Sequence, residues 1–170
     1  ADRGVRGLRL LTPWQFRNAV ADLTGVALTE EQLPKSFHDD NFKYPTQAAK
    51  GIVNHSGASL YLTLAETIAG NANLTQLGCS ASNCSDSQAV NMAYKVWRRA
   101  LTNQEKSTLT SYNNSYGARD LLASLLMAPD FLYRSELGQW DADKQAYKLS
   151  GYEVASALSF QLFGTTPDAT

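Results

Sequence analysis

Apolar positions along this chain recur at three- and four-residue intervals, and most of these runs are bracketed by residues that start or stop a helix. Thr12-Pro13-Trp14-Gln15 opens the first. Thr12 supplies a cap, Pro13 occupies the first turn where its missing N–H is harmless, and Gln15 can complete a capping box. Phe16, Val20 and Leu23 then share one stripe, and Gly25 is the natural stop. A second helix is predicted from Ser56 to about Ala69, with Tyr61, Leu64, Ala65 and Ile68 at helical spacing and Gly70 at its end. A third, capped by Asp86, carries Val90, Tyr94, Trp97 and Leu101, with Lys95, Arg98 and Arg99 as a solvated flank. Thr102 to Glu105 forms another capping box and opens a more polar surface helix to about Asn113.

The C-terminal third is the most apolar. Leu121, Leu122, Leu125 and Leu126 make a broad face between Ala118 and Met127, and Pro129 forces a break before Phe131, Leu132 and Tyr133. Ser150 to Glu153 is a third capping box, and the helix behind it is apolar nearly all round, with Tyr152, Val154, Ala155, Leu158, Phe160, Leu162 and Phe163 before Gly164. Such a helix needs cover, so Phe160, Leu162 and Phe163 are read as an interface with another polypeptide. Between Leu28 and His55, Pro34, Pro45 and Gly51 alternate with Phe37, Phe42 and Tyr44, which predicts a long ordered loop. No run alternates long enough to make a convincing strand. The expected fold is all-α: an irregular bundle of about six helices with a long loop after the first, in a single domain over residues 1–170.

With 44% apolar residues the chain can bury a sizeable core without a metal or many crosslinks. Fifteen basic residues against sixteen acidic ones, mostly scattered, argue against nucleic acid as a partner. No run of apolar residues reaches the length of a membrane span. The start, Ala1-Asp2-Arg3, has no initiating Met, which suggests a removed signal peptide or an internal fragment. Cys79 and Cys84 flank a short polar loop, and a disulfide is the first choice, with free thiols as the alternative. Ser85 stands where covalent haem attachment would need a His, and neither His38 nor His55 lies at ligand spacing from the pair, so no cofactor or metal is expected in this chain. A disulfide would place the protein in an oxidising compartment, periplasmic or extracellular.

Catalytic residues do not declare themselves. His38 beside Asp39 and Asp40 has the ingredients of a general base, but a loop His next to acids is usually solvated. His38 or His55, and after them Met92 or Met127, are candidate axial ligands to a haem held by another chain, Met more often filling a core. Arg134, Glu136 and Glu153 suggest a buried ion pair that fixes the register between the Phe-Leu-Tyr-Arg segment and the last helix, with an anion clamp as the functional version. Trp14, Trp97 and Trp140 are core or interface anchors, or less often a sugar-stacking platform.

Four blocks in order, LRLLTPWQFRNAVADLTG, WRRALTNQE, MAPDFLYRSELG and YKLSGYEVASALSFQLFGTTPD, resemble large secreted bacterial proteins abundant in planctomycetes and myxobacteria. Those proteins are built from tandem domains of unknown function and are often joined to c-type cytochrome domains. Ala157 stands where that family has Arg, and Phe163 where it has Trp. The resemblance implies a structural or interaction component of a secreted, cytochrome-linked assembly, with haem in a partner domain or chain. The partner would be another protein chain or a C-terminal continuation. A subunit of a haem-associated oxidoreductase and a polysaccharide-binding module are the alternatives.

Overall fold

The computed structural model describes residues 6–34, 53–80 and 83–167. About 59% of them are helical and about 10% lie in strands, which corrects the all-α expectation to a mixed α/β fold. The chain order is β1 (Gly7–Leu10), α1 (Pro13–Thr24), α2 (His55–Asn71), α3 (Asp86–Trp97), α4 (Asn103–Tyr116), α5 (Ala118–Met127), α6 (Pro129–Leu132), β2 (Tyr133–Glu136), β3 (Gln139–Asp141), β4 (Ala146–Lys148) and α7 (Gly151–Leu162). Each strand is three or four residues long, too short for alternation to stand out. β1 finds its antiparallel partner β2 far along the chain, with Leu8 opposite Ser135 and Leu10 opposite Tyr133, so no local pattern announces the pair. The hairpin of β3 and β4 pairs Trp140 with Tyr147 across a turn in which Asp141 Oδ1 accepts from the N–H groups of Asp143 and Lys144.

Helix starts follow the capping chemistry. Thr12, Thr102 and Ser150 each accept from the backbone N–H three residues on, and the Gln or Glu there reaches back to the cap. For α3 the cap is Ser85, not Asp86, because Gln88 closes the box with Ser85 and leaves Asp86 in the first turn. Gly25 ends α1 in the left-handed conformation. Pro129 separates α5 from α6, since its ring cannot continue the preceding helix.

The core lies where α2 and α5 pack, with α3 and α6 closing it. Phe16, Val20, Ile68, Leu121, Leu122, Leu125, Leu126 and Phe131 are buried there, as the spacing of α1, α2 and α5 requires. α3 differs from expectation: its inward stripe is Ala89, Met92, Ala93 and Val96, while Tyr94 faces out. After α1 the chain makes a 3₁₀ turn at Glu30–Gln32. The rest of the expected long loop, with His38, Asp39, Asp40 and its aromatics, lies outside the described residues.

Candidate functional site

The sequence has no Gly or Asn after Trp97 to end α3, so Arg98 itself takes the left-handed conformation, with φ 57° and ψ 31°. That turn costs about 1 kcal/mol for a residue with a Cβ. It also drives the side chain inward, leaving Arg98 8% exposed. Nη2 donates to the carbonyls of Asp130 (2.8 Å), Phe131 (3.0 Å) and Tyr133 (3.1 Å), and Nη1 to that of Val96 (3.2 Å). The guanidinium stands beside the rings of Phe131 and Phe160, at 5.6 and 5.3 Å from their centroids. Burial lowers its pKa to about 10, against the partial support of Asp130 nearby, so it stays charged at neutral pH. The expected solvated flank is corrected here. One arginine of the pair is structural and buried because the left-handed cap redirects it, and the missing C-terminal glycine is the signal that could have revealed this.

Arg99 stays nearer the surface and joins Asp130 Oδ1 (2.5 Å) to Glu105 Oε1 (2.7 Å). Glu105 is doubly used, since its Oε2 also accepts from the N–H and Oγ1 of the Thr102 cap. Arg99 first, and the Thr102 N–H second, hold the Glu105 pKa at about 2. α3, α4 and α6 are thereby tied at one corner.

The three residues expected to form one ion pair divide into two groups. Arg134 pairs with Glu136 within β2 at 2.8 Å, and Arg9 of β1 meets the other oxygen of Glu136 at 2.5 Å. Glu153 does not meet Arg134. Its Oε1 accepts from Ser135 Oγ and from the N–H groups of Leu137 and Gly138, and its Oε2 from the N–H and Oγ of Ser150. Burial opposes the charge, but these donors outweigh it and set the Glu153 pKa at about 2. Register between β2 and α7 is therefore fixed by a carboxylate gripping backbone rather than by an arginine.

The three expected interface residues also divide. Phe160 is enclosed by this chain at 1% exposure, because it falls on the α7 face turned to the core. Leu162 and Phe163 stand out at 69% and 72%, and Val154 and Leu158 continue the outward stripe at 42% and 53%. The tryptophans serve three separate tasks. Trp14 lies against Gly164, Trp97 donates from Nε1 to the Leu125 carbonyl, and Trp140 packs edge-on to Tyr147 at 5.1 Å.

Cys79 and Cys84 are disulfide-bonded, and Asn113 of α4 donates to the Cys84 carbonyl at 2.9 Å, which pins the loop to the bundle. His55 is exposed in the first turn of α2, behind an Asn54 cap, whereas Met92 is sealed in the core. Met92 therefore cannot reach a group held by another chain. Among the described residues no three His, Cys, Asp or Glu side chains gather as a metal site, and no helix is long and apolar enough to cross a membrane.

Two hollows open beside Tyr152, one of about 370 Å³ facing β2 and one of about 490 Å³ facing α1. Arg98 and Tyr152 line both. Residues 9–73 match a family described as PSD3: Protein of unknown function (DUF1587). The match runs from β1 through α2, so this part of the chain reads as a domain of unknown function. No curated protein and no solved structure matches the chain.

Proposed function

We propose that this protein is a structural and interaction component of a secreted, cytochrome-linked bacterial assembly, and that it docks through the outward face of α7. The observation that carries the reading is the stripe Val154, Leu158, Leu162 and Phe163, which presents large apolar side chains on a helix whose orientation is fixed from within. Contiguous exposed apolar surface of this kind marks association sites. The disulfide supports an oxidising, extracytoplasmic setting. The resemblance of the four sequence blocks to cytochrome-associated proteins supports the nature of the partner, which would carry the haem.

The test places a photo-reactive residue at Leu162 and cross-links the protein in its native extracytoplasmic fraction. The expected product is an adduct that stains for covalently bound haem. Leu162→Glu should abolish stable association while changing folding stability by no more than about 0.5 kcal/mol, as usual for an exposed position. A chain that remains monomeric in the native fraction would refute the reading.

A further inference from the structure

Arg98 does more at its position than a structural arginine requires. Its four hydrogen bonds use Nη1 and Nη2, all to carbonyls, and no carboxylate lies within ion-pair distance of it among the described residues. No described group accepts from its Nε–H. Arg98 is 8% exposed, and it lines open space on both sides of Tyr152. Two hollows that share Tyr152 border Arg98, and each is of a size that holds a small organic molecule, roughly 300–1,000 Å³.

We propose that the cleft around Tyr152 binds a monocarboxylate with an apolar body, its carboxylate accepting from the Nε–H of Arg98. The acids at the cleft do not compete for this role. Asp130 is held by Arg99, the oxygens of Glu153 are filled by five donors, and Asp22 accepts from the hydroxyl of Thr165. Lys95, on the α1 side, adds a second cation whose Nζ, among the described residues, donates to the Gln76 carbonyl at 3.4 Å. The apolar body has a wall ready: Tyr94 and Tyr152 meet edge to face at 5.9 Å, and Leu8 and Leu137 lie on the β2 side. Binding an anion at a buried cation without an ionic partner offsets the unfavourable burial of that charge, which is why a carboxylate is preferred over a neutral molecule of the same shape. This site is separate from the docking stripe, because α7 presents Tyr152 and Ser156 to the cleft and Val154, Leu158 and Leu162 away from it.

Benzoate and its neutral analogue benzyl alcohol are the probes, titrated into the full 170-residue chain and followed by ¹H–¹⁵N NMR. Benzoate should shift the Arg98 Nε–H and the amides of residues 151–156 saturably, and benzyl alcohol should bind at least about tenfold more weakly. Tyr152→Ala, which touches no buried hydrogen bond of Arg98, should weaken benzoate at least about tenfold while the rest of the spectrum is retained. Arg98→Lys, where folded by circular dichroism, should lose the preference for benzoate over the alcohol. Absence of a saturable shift at Nε, equal response to the two probes, or shifts centred away from Tyr152 would overturn the proposal.

Discussion

Replacing Gly164 with alanine tests how the end of α7 is fastened to α1. Gly164 has φ 69°, its N–H donates to the Ser159 carbonyl at 3.0 Å, and Ser159 Oγ in turn donates to the Thr165 carbonyl at 2.8 Å. The backbone there has little freedom. A Cβ built on Gly164 would stand 1.5 Å from Cζ3 of Trp14, inside the ring, so the indole must leave. Trp14 is 45% exposed, and at roughly 130 Å² of buried surface its departure costs about 3 kcal/mol. The left-handed conformation of alanine adds about 1 kcal/mol, for a total of about 4 kcal/mol. Trp14→Ala alone should cost about 3 kcal/mol. In the double variant the ring is already gone, so the loss should be about 4 kcal/mol rather than the sum of about 7, a coupling of about 3 kcal/mol. Urea denaturation followed by far-ultraviolet circular dichroism measures all four proteins without relying on tryptophan emission. Additive costs, or a Gly164→Ala loss of only about 1 kcal/mol in the presence of Trp14, would show that the indole does not occupy the space above Gly164.

Three further outcomes follow from the same structure. Glu105 and Glu153 have folded pKa values of about 2, below their ordinary 4.5, so the stability they contribute is complete above pH 4.5 and is lost as pH falls from there toward 2. Partial exposure discounts this to about 1–2 kcal/mol each, and Glu153→Gln should flatten part of the decline between urea titrations at pH 7 and pH 3. Arg98→Met strands the carbonyls of Asp130, Phe131 and Tyr133, and should cost about 3–5 kcal/mol, whereas an exposed arginine would cost almost nothing in the same denaturation assay. The Cys79→Ser, Cys84→Ser pair opens a loop with a sequence separation of 5 and should lower stability by about 2 kcal/mol, with the α7 amides unchanged in NMR because the bridge is tied to α4 instead.

The helices were legible because their signals are local. Capping boxes at Thr12, Thr102 and Ser150 and the stripes of α1, α2 and α5 each depend on residues within one or two turns. The strands were not, because β1 is defined by β2 more than a hundred residues away, and four residues such as GLRL carry no period of their own. The hairpin was closer to visible, with Trp140 and Tyr147 flanking an aspartate-initiated turn. At the site, Arg134 meets Glu136 inside β2 instead of reaching the last helix, and Glu153 takes its donors from Ser135, Leu137, Gly138 and Ser150. Charge suggests arginine as its partner, and only the fold reveals that the N–H groups of Leu137 and Gly138 reach it first. Arg98 escaped for a related reason, since helical periodicity says nothing about a side chain one residue beyond the last turn.

Rotating α7 does not bury its outward stripe against the described residues at any gain. Turning the helix by about 100°, one residue step, would bring Leu158 and Val154 toward the core, but it would also lift out Phe160, whose burial contributes about 2–3 kcal/mol. The same turn would pull Glu153 away from Ser135, Leu137 and Gly138 and leave a carboxylate partly buried without donors. At the other end it would break the seat of Gly164 on Trp14 and the bond from Gln15 Nε2 to the Phe160 carbonyl. Against these losses, drawing in two half-exposed aliphatic side chains recovers about 2 kcal/mol. The polar network therefore determines which face of α7 looks outward. Its apolar side chains stay at the surface because the alternatives cost more, and that makes them available to a second polypeptide.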